Sequence, residues 1–227
     1  MAPIGHSFVI PGKPDVMSLG PAFKRSAAVV LLAACMMTQS AGAASVRALD
    51  VRALMRGSEL VFEGRPTITR VVKDPASGLI WTEVDFEVVD VVKGRRPSGP
   101  LTLSFLGGVV DGRGLSVSDM NIPEVDERGI YFVESVSRRQ VNPLLGWSQG
   151  HFKRMKTPTG PGCVTTFDGR PVMDVVPEPE STSAALSTGV ARGLRLGTRS
   201  NCGNGLTAAR FKKTLTEINS VADSDAQ

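Results

Sequence analysis

The chain is poor in the residues that usually carry chemistry. Its 227 residues include 2 histidines, 3 cysteines, 2 tryptophans and 1 tyrosine. Zinc sites draw several Cys or His ligands, and so small a supply argues against a catalytic zinc centre. Aromatic residues make up 5% of the chain. Single-stranded nucleic acid is held by aromatic platforms beside a basic groove, so that class of partner is not expected. There is no P-loop, no dinucleotide fingerprint, no EF-hand spacing and no nucleophile elbow. The longest apolar run, Ala27 to Met37, has eleven residues. As a helix it would span roughly 16 Å, about half of a bilayer core, so no transmembrane span is expected.

What is present near the N-terminus is an export layout. Lys24-Arg25 precedes the apolar run, and the small residues Ala41-Gly42-Ala43 follow it. That is the order of a secretory signal. Two processing readings compete. Cleavage between Ala43 and Ala44 releases a soluble chain. Leu32-Ala33-Ala34-Cys35 resembles a lipobox, which would make Cys35 a lipidated N-terminus and anchor the protein to the envelope. The first is favoured because the apolar character continues past Cys35 through Met36-Met37. Residues 1–23 contain Pro3, Pro11, Pro14 and Asp15, unlike a signal's short basic start. Met17, seven residues before Lys24, is the expected translation start. Residues 1–43 are therefore set apart from the fold, and the expected location is periplasmic or secreted.

Removing them leaves 184 residues with 23 basic and 21 acidic side chains, a net charge of +2. That length suits one domain with appendages. Basic residues cluster most densely at Lys153-Arg154-Met155-Lys156, which reads as a solvated strand end. Cys163 and Cys202 are the remaining cysteines, and in an exported chain they are expected to pair. The loop they close spans about 40 residues, worth about 4 kcal/mol in the loop-entropy model.

Residues 46–57 read as a short helix, capped by Asp50, ended by a left-handed Gly57, and packed through Leu49 and Ala53. From Ser58 the period changes to two. A first strand runs from Glu59 to Val72, with Gly64 marking a bulge. After the turn at 74–78, Ile80 to Val92 alternates clearly: Val84, Phe86 and Val88 on one face, Glu83, Asp85 and Glu87 on the other. The phase slips after Val88, which suggests a further bulge. Leu101–Leu106 is a third strand, residues 109–128 a long ordered loop, Gly129–Val136 a fourth strand and Trp147–Met155 a fifth. Residues 158–176 read as a hairpin extension turning at Asp168-Gly169, 177–205 as a flexible linker, 206–219 as a helix capped by Thr207 with Leu206 and Phe211 as a staple, and 220–227 as a disordered tail. Five strands with a long third connection predict a small antiparallel Greek-key barrel of the oligomer-binding (OB) type over residues 44–157, with a β-sandwich as the alternative.

The segments SELVFEG (58–64), IWTEVDFEVVDVVKG (80–94), LTLSFLGG (101–108), GIYFVES (129–135) and WSQGHFKRM (147–155) resemble a group of uncharacterised exported bacterial proteins. More distantly they are similar to the barrel of netrin modules and tissue inhibitors of metalloproteinases. The resemblance covers residues 58–155. It implies an OB-like barrel that binds proteins. The inhibitory site does not carry over: that family presents a disulfide-bonded N-terminal cysteine, whereas the expected mature N-terminus here is Ala44.

Candidate chemistry is thin. His151 is the one histidine beyond residue 43. A relay with Ser148 would need both on one face, and three residues apart on a strand they face opposite sides. Glu83, Asp85, Glu87 and Asp90 form an acidic stripe that could bind calcium or act as a glycosidase pair, but reads as the wet face of a strand. Asp119, Glu124, Asp126 and Glu127 offer a second calcium candidate. No catalytic, cofactor-binding or metal-binding set is assigned. The expected function is an exported, non-enzymatic module binding a protein or envelope component. The alternative is a periplasmic hydrolase using carboxylates or His151.

Overall fold

In a computed structural model, residues 46–157, 160–176, 185–198 and 202–224 are described. The expected signal segment, Met17, Cys35 and the Ala43–Ala44 junction lie outside them. Among the described residues no helix is long and apolar enough to cross a membrane.

The alternation read from the sequence becomes two long paired strands, β1 (Leu60–Lys73) and β2 (Ile80–Lys93). Three register shifts interrupt their ladder. One leaves Val89 as the extra residue opposite Glu63 and Gly64, where the apolar phase slips. Gly64 is required there: a Cβ would come 2.7 Å from the Glu87 carbonyl and 2.8 Å from the Phe62 ring. Another shift follows Pro66, whose missing N–H is harmless at a bulge.

Around this pair the sheet grows in both directions. β3 (Leu101–Leu106) adds to β2. β6 (Gly129–Val133), β7 (His151–Thr157) and β8 (Gly160–Thr166) add in turn to β1. The order is β3-β2-β1-β6-β7-β8, antiparallel throughout. This corrects the expected five-stranded barrel. The described strands make one open six-stranded sheet, and no ladder joins β3 to β8. β8, expected in an appended hairpin, is the sheet's last strand. Two short pairs stand apart: β4 (Gly108–Val110) with β5 (Arg113–Leu115), and β9 (Val172–Val175) with β10 (Leu194–Leu196).

Both faces of the sheet are apolar. On one face Leu60, Phe62, Val84, Phe86, Leu103, Phe105, Tyr131 and Val133 form a core closed by Leu144, with Met120 and Ile122 packed against it. On the other, Val61, Ile130, Phe132, Phe152 and Val164 meet the helices α1 (Val51–Gly57) and α2 (Ala208–Ser224). This is why all five residues of β6 are buried. Asp50 caps α1 by accepting from the Ala53 N–H at 2.7 Å. The helix buries Val51, Leu54 and Met55; Leu49, ahead of it, packs against the same core as expected, whereas Ala53 does not belong to it, and Ser58, not a left-handed Gly57, ends the helix. In α2, Phe211 and Leu215 are fully buried. That helix continues past Asn219 to Ser224, so the tail begins later than the sequence suggests.

Three further expectations change. Residues 109–128 hold the β4–β5 hairpin, turned at Asp111 (φ 50°) and Gly112 (φ 71°). Trp147–Gly150 is a 3₁₀ turn, and strand β7 starts only at His151. The segment 185–198, read as linker, is pinned: bridges join Arg47 to Leu186 and Asp50 to Arg192, and β10 pairs with β9. The Cys163–Cys202 disulfide is formed.

Candidate functional site

The carboxylates singled out in the sequence do not converge. Along β1 and β2 they are matched by arginines. Arg65 Nε lies 2.7 Å from Glu87 and its Nη1 lies 2.8 Å from Asp126. Arg70 meets Glu83 at 3.0 Å and Asp85 at 2.6 Å. Hydrogen bonds from Arg70 and from Thr102 hold the Asp85 carboxyl below the usual range. Asp90 faces the other way and pairs with Lys212 of α2, which lowers its pKa. Lys212 also reaches the buried Glu63 at 2.6 Å, and Arg154 approaches the same carboxylate at 3.4 Å. The acidic stripe is thus an ion-pair ladder, not an open pair of acids. The second calcium candidate is dispersed too: Asp126 is on Arg65, and Glu127 is turned inward. Among the described residues no cluster of three metal-ligating side chains occurs.

Glu127 turns toward His151. The imidazole is 1% exposed, and its Nε2 lies 2.6 Å from Glu127 Oε1. Lys153, two residues along β7, completes the group at 2.8 Å from Oε2. Burial holds the imidazole pKa below its ordinary value, against the pull of Glu127. It is therefore neutral near pH 7, with the Nε2–H donating to the carboxylate. Burial alone would raise Glu127, but the His151 hydrogen bond and the Lys153 charge outweigh it and bring the carboxyl down. The Tyr131 and Phe167 rings flank the imidazole at centroid distances of 5.0 and 5.6 Å. Among the described residues its Nδ1 has no hydrogen-bond partner. The tyrosine donates to the Glu127 carbonyl, and burial drives its own pKa up.

Phe167 connects this buried group to the surface. Its ring carries the Lys153 ammonium at 4.7 Å, and the residue lines an open cleft of about 500 Å³. The 3₁₀ turn bearing Trp147 and Ser148 also lines it, together with Asp119, Asn121 and the segment from Ser187 to Val190. The cleft is positioned by Gln149, which is 1% exposed. Its side chain accepts from the Leu49 N–H at 2.7 Å and donates to the Arg47 carbonyl at 3.0 Å. It thereby fixes the start of the fold against the turn.

The backbone around the cleft is unusual. Asp119 (φ 57°), Gly146 (φ 66°), Trp147 (φ 60°) and Gly189 (φ 86°) all adopt left-handed conformations. For a residue with a bulky side chain this costs about 1–2 kcal/mol. Such strain persists where surrounding structure enforces it, and it collects at sites of function.

Of the residues weighed in the sequence, Ser148 and Asp119 belong to this cleft, and His151 and Glu127 lie behind Phe167. Ser148 sits on the 3₁₀ turn, not on a strand opposite His151. Gln149, Trp147 and the Glu127–His151 pairing were missed. The glycines at 146 and 150 around Trp147 were the one available sign that a strand could not run through the turn. Comparison of the chain with family models, with curated proteins and with solved structures found no match to any of them.

Proposed function

We propose that the chain is an exported, non-enzymatic binding module whose ligand occupies the Trp147–Phe167 cleft. The observation that carries this reading is the state of its ionisable groups. His151 is buried, neutral and hydrogen-bonded to Glu127, out of reach of any substrate in the cleft. The stripe carboxylates are committed to arginines and to Lys212. General acid–base catalysis needs a titrating group within hydrogen-bond reach of the reacting atom, and these groups do not offer it. The cleft, by contrast, is open, of ligand size and set on enforced backbone, the properties of a preformed binding site. The export layout of residues 24–43 makes an envelope component the expected partner class, and Cys35 the lipidation site if the lipobox is used.

The test immobilises the full chain and passes envelope extracts over it, with Trp147→Gly as the matched control. Glycine suits the left-handed backbone at position 147, so the ring is removed without added strain. An envelope component retained by the native chain and lost by the variant is expected. Turnover of a model ester or glycoside that disappears in His151→Ala would overturn the reading in favour of a hydrolase.

A further inference from the structure

We propose that the ligand class of this cleft is a neutral oligosaccharide, an inference that rests on the binding-module reading and narrows it. The lining combines an aromatic side chain carried on an enforced turn, Trp147, with short polar groups: Asp119, Asn121, Ser148 and Thr188. A sugar ring presents an apolar C–H face and a rim of hydroxyls. An indole ring matches the first by its large, rigid apolar surface. Carboxylate, amide and hydroxyl groups match the second, since together they both accept and donate. Several of these groups are not used up by the fold. Among the described residues the Asp119 carboxylate and the Ser148 hydroxyl have no hydrogen-bond or ion-pair partner. The Asn121 amide donates to the Asp119 carbonyl at 3.2 Å, which orients its own carbonyl oxygen as an acceptor. Gly189 leaves room beside the Ser148 hydroxyl: a Cβ there would sit 3.3 Å from its Oγ.

Charge selects within that class. Among the described residues no lysine, arginine or histidine lines the cleft. Lys153 lies behind Phe167 and is paired with Glu127, and Asp168 is paired with Arg170 at 2.9 Å. Asp119 is then the uncompensated charge facing a ligand, and it disfavours acidic sugars, phosphates and sulfates. The volume, about 500 Å³, lies within the range of sites for drug-sized ligands.

Calorimetric titration of the full chain with cellotetraose, chitotetraose, a uronic-acid tetrasaccharide and trilysine tests this. Saturable binding of at least one neutral tetrasaccharide is expected, with the uronic-acid tetramer at least tenfold weaker. Trp147→Gly should weaken the neutral sugar at least tenfold. Asp119→Asn, whose amide tolerates the same left-handed backbone, should narrow the gap between neutral and acidic sugars. Circular dichroism of both variants confirms the fold. Trilysine bound in a Trp147-dependent way, with no sugar bound, overturns the saccharide class and leaves the binding-module reading standing. Equal binding of neutral and acidic sugars overturns the charge argument and the proposal with it. If none of the four probes binds and a hydrolytic activity depends on His151, both readings fail together.

Discussion

Two sets of charges in this molecule use the same residue types and behave as opposites. On the outer face of β1 and β2, Arg65 and Arg70 hold Glu83, Asp85 and Glu87, with both guanidinium groups nearly half exposed. Inside, Glu127 holds a fully buried His151 and a half-buried Lys153. Water screens the outer ladder, so each contact there adds little. In the inner group the His151 imidazole is sealed between Tyr131 and Phe167, where losing its carboxylate strands the Nε2–H away from water. Burial decides what an ion pair is for. The outer one matches charges between neighbouring strands at the water-facing side, whereas the inner one backs the Phe167 side of the cleft.

The largest effect should come from breaking the inner group. Glu127→Ala leaves the Nε2–H of His151 and the Lys153 ammonium without their acceptor. Urea denaturation should show a loss of about 2 kcal/mol, the order found when a buried hydrogen-bond donor is left without its acceptor. A shift of the size seen for surface residues would mean that the group is solvated after all.

Acid should find the same weak point. The folded-state pKa values of His151 and Glu127 are both depressed. The unfolded chain therefore binds protons first, and stability falls as the pH drops. The His151 contribution is complete above about pH 6.5, its ordinary value, and declines below it. The Glu127 contribution follows below about pH 4.3 and is lost as its folded pKa is passed. Each proton can take up to about 1.4 kcal/mol per pH unit. Thermal melts from pH 8 to pH 4 should show the decline beginning near 6.5, and His151→Phe should abolish that first segment.

A double-mutant cycle of Glu127→Gln with His151→Phe measures the pair directly. It should return a coupling of about 1 kcal/mol, within the range for contacting residues. Additive single effects would argue that the 2.6 Å contact is unimportant to the fold.

The smallest effect belongs to the outer ladder. Arg70→Ala should leave the urea midpoint where it was, and 1 M salt should have no more effect on the native protein than on the variant. A clear drop would erase the distinction between the two sets.

The outer set was legible in the sequence and the inner one was not, for a physical reason. Alternation along Val84, Asp85, Phe86 and Glu87 reports which side of a strand meets water, and the structure follows it through the slip after Val88. Local chemistry also reported the Asp50 cap, the Gly64 bulge, the buried Leu206–Phe211 end of α2 and the Cys163–Cys202 bond. No periodicity links Glu127 to His151, 24 residues apart, or Glu63 to Arg154, 91 apart. Those meetings are made by strand order, and strand order was where the barrel expectation failed. The 3₁₀ turn at Trp147 defeated prediction differently. Trp147 favours strands, but the turn around it forces a conformation that propensity disfavours. The hairpin turned at Asp111-Gly112 was missed as well, read as part of a long loop although it carries a standard turn dipeptide.

The bond between Cys163 and Cys202 also governs how far the last helix can stray. Cys163 sits in β8, and Cys202 lies six residues before α2 begins. Without the bond, the helix would hang from the paired strand β10, which ends at Leu196, twelve residues before Ala208 and twice the leash that the bond leaves. Halving the loop lowers its closure cost by roughly 0.6 kcal/mol. An undocked helix is thus held at high effective concentration over the sheet face that Phe211 and Leu215 cover, and it returns before another chain can find that face. The bridge thus works as a safeguard against strangers: it shortens the time for which an apolar surface is open to them.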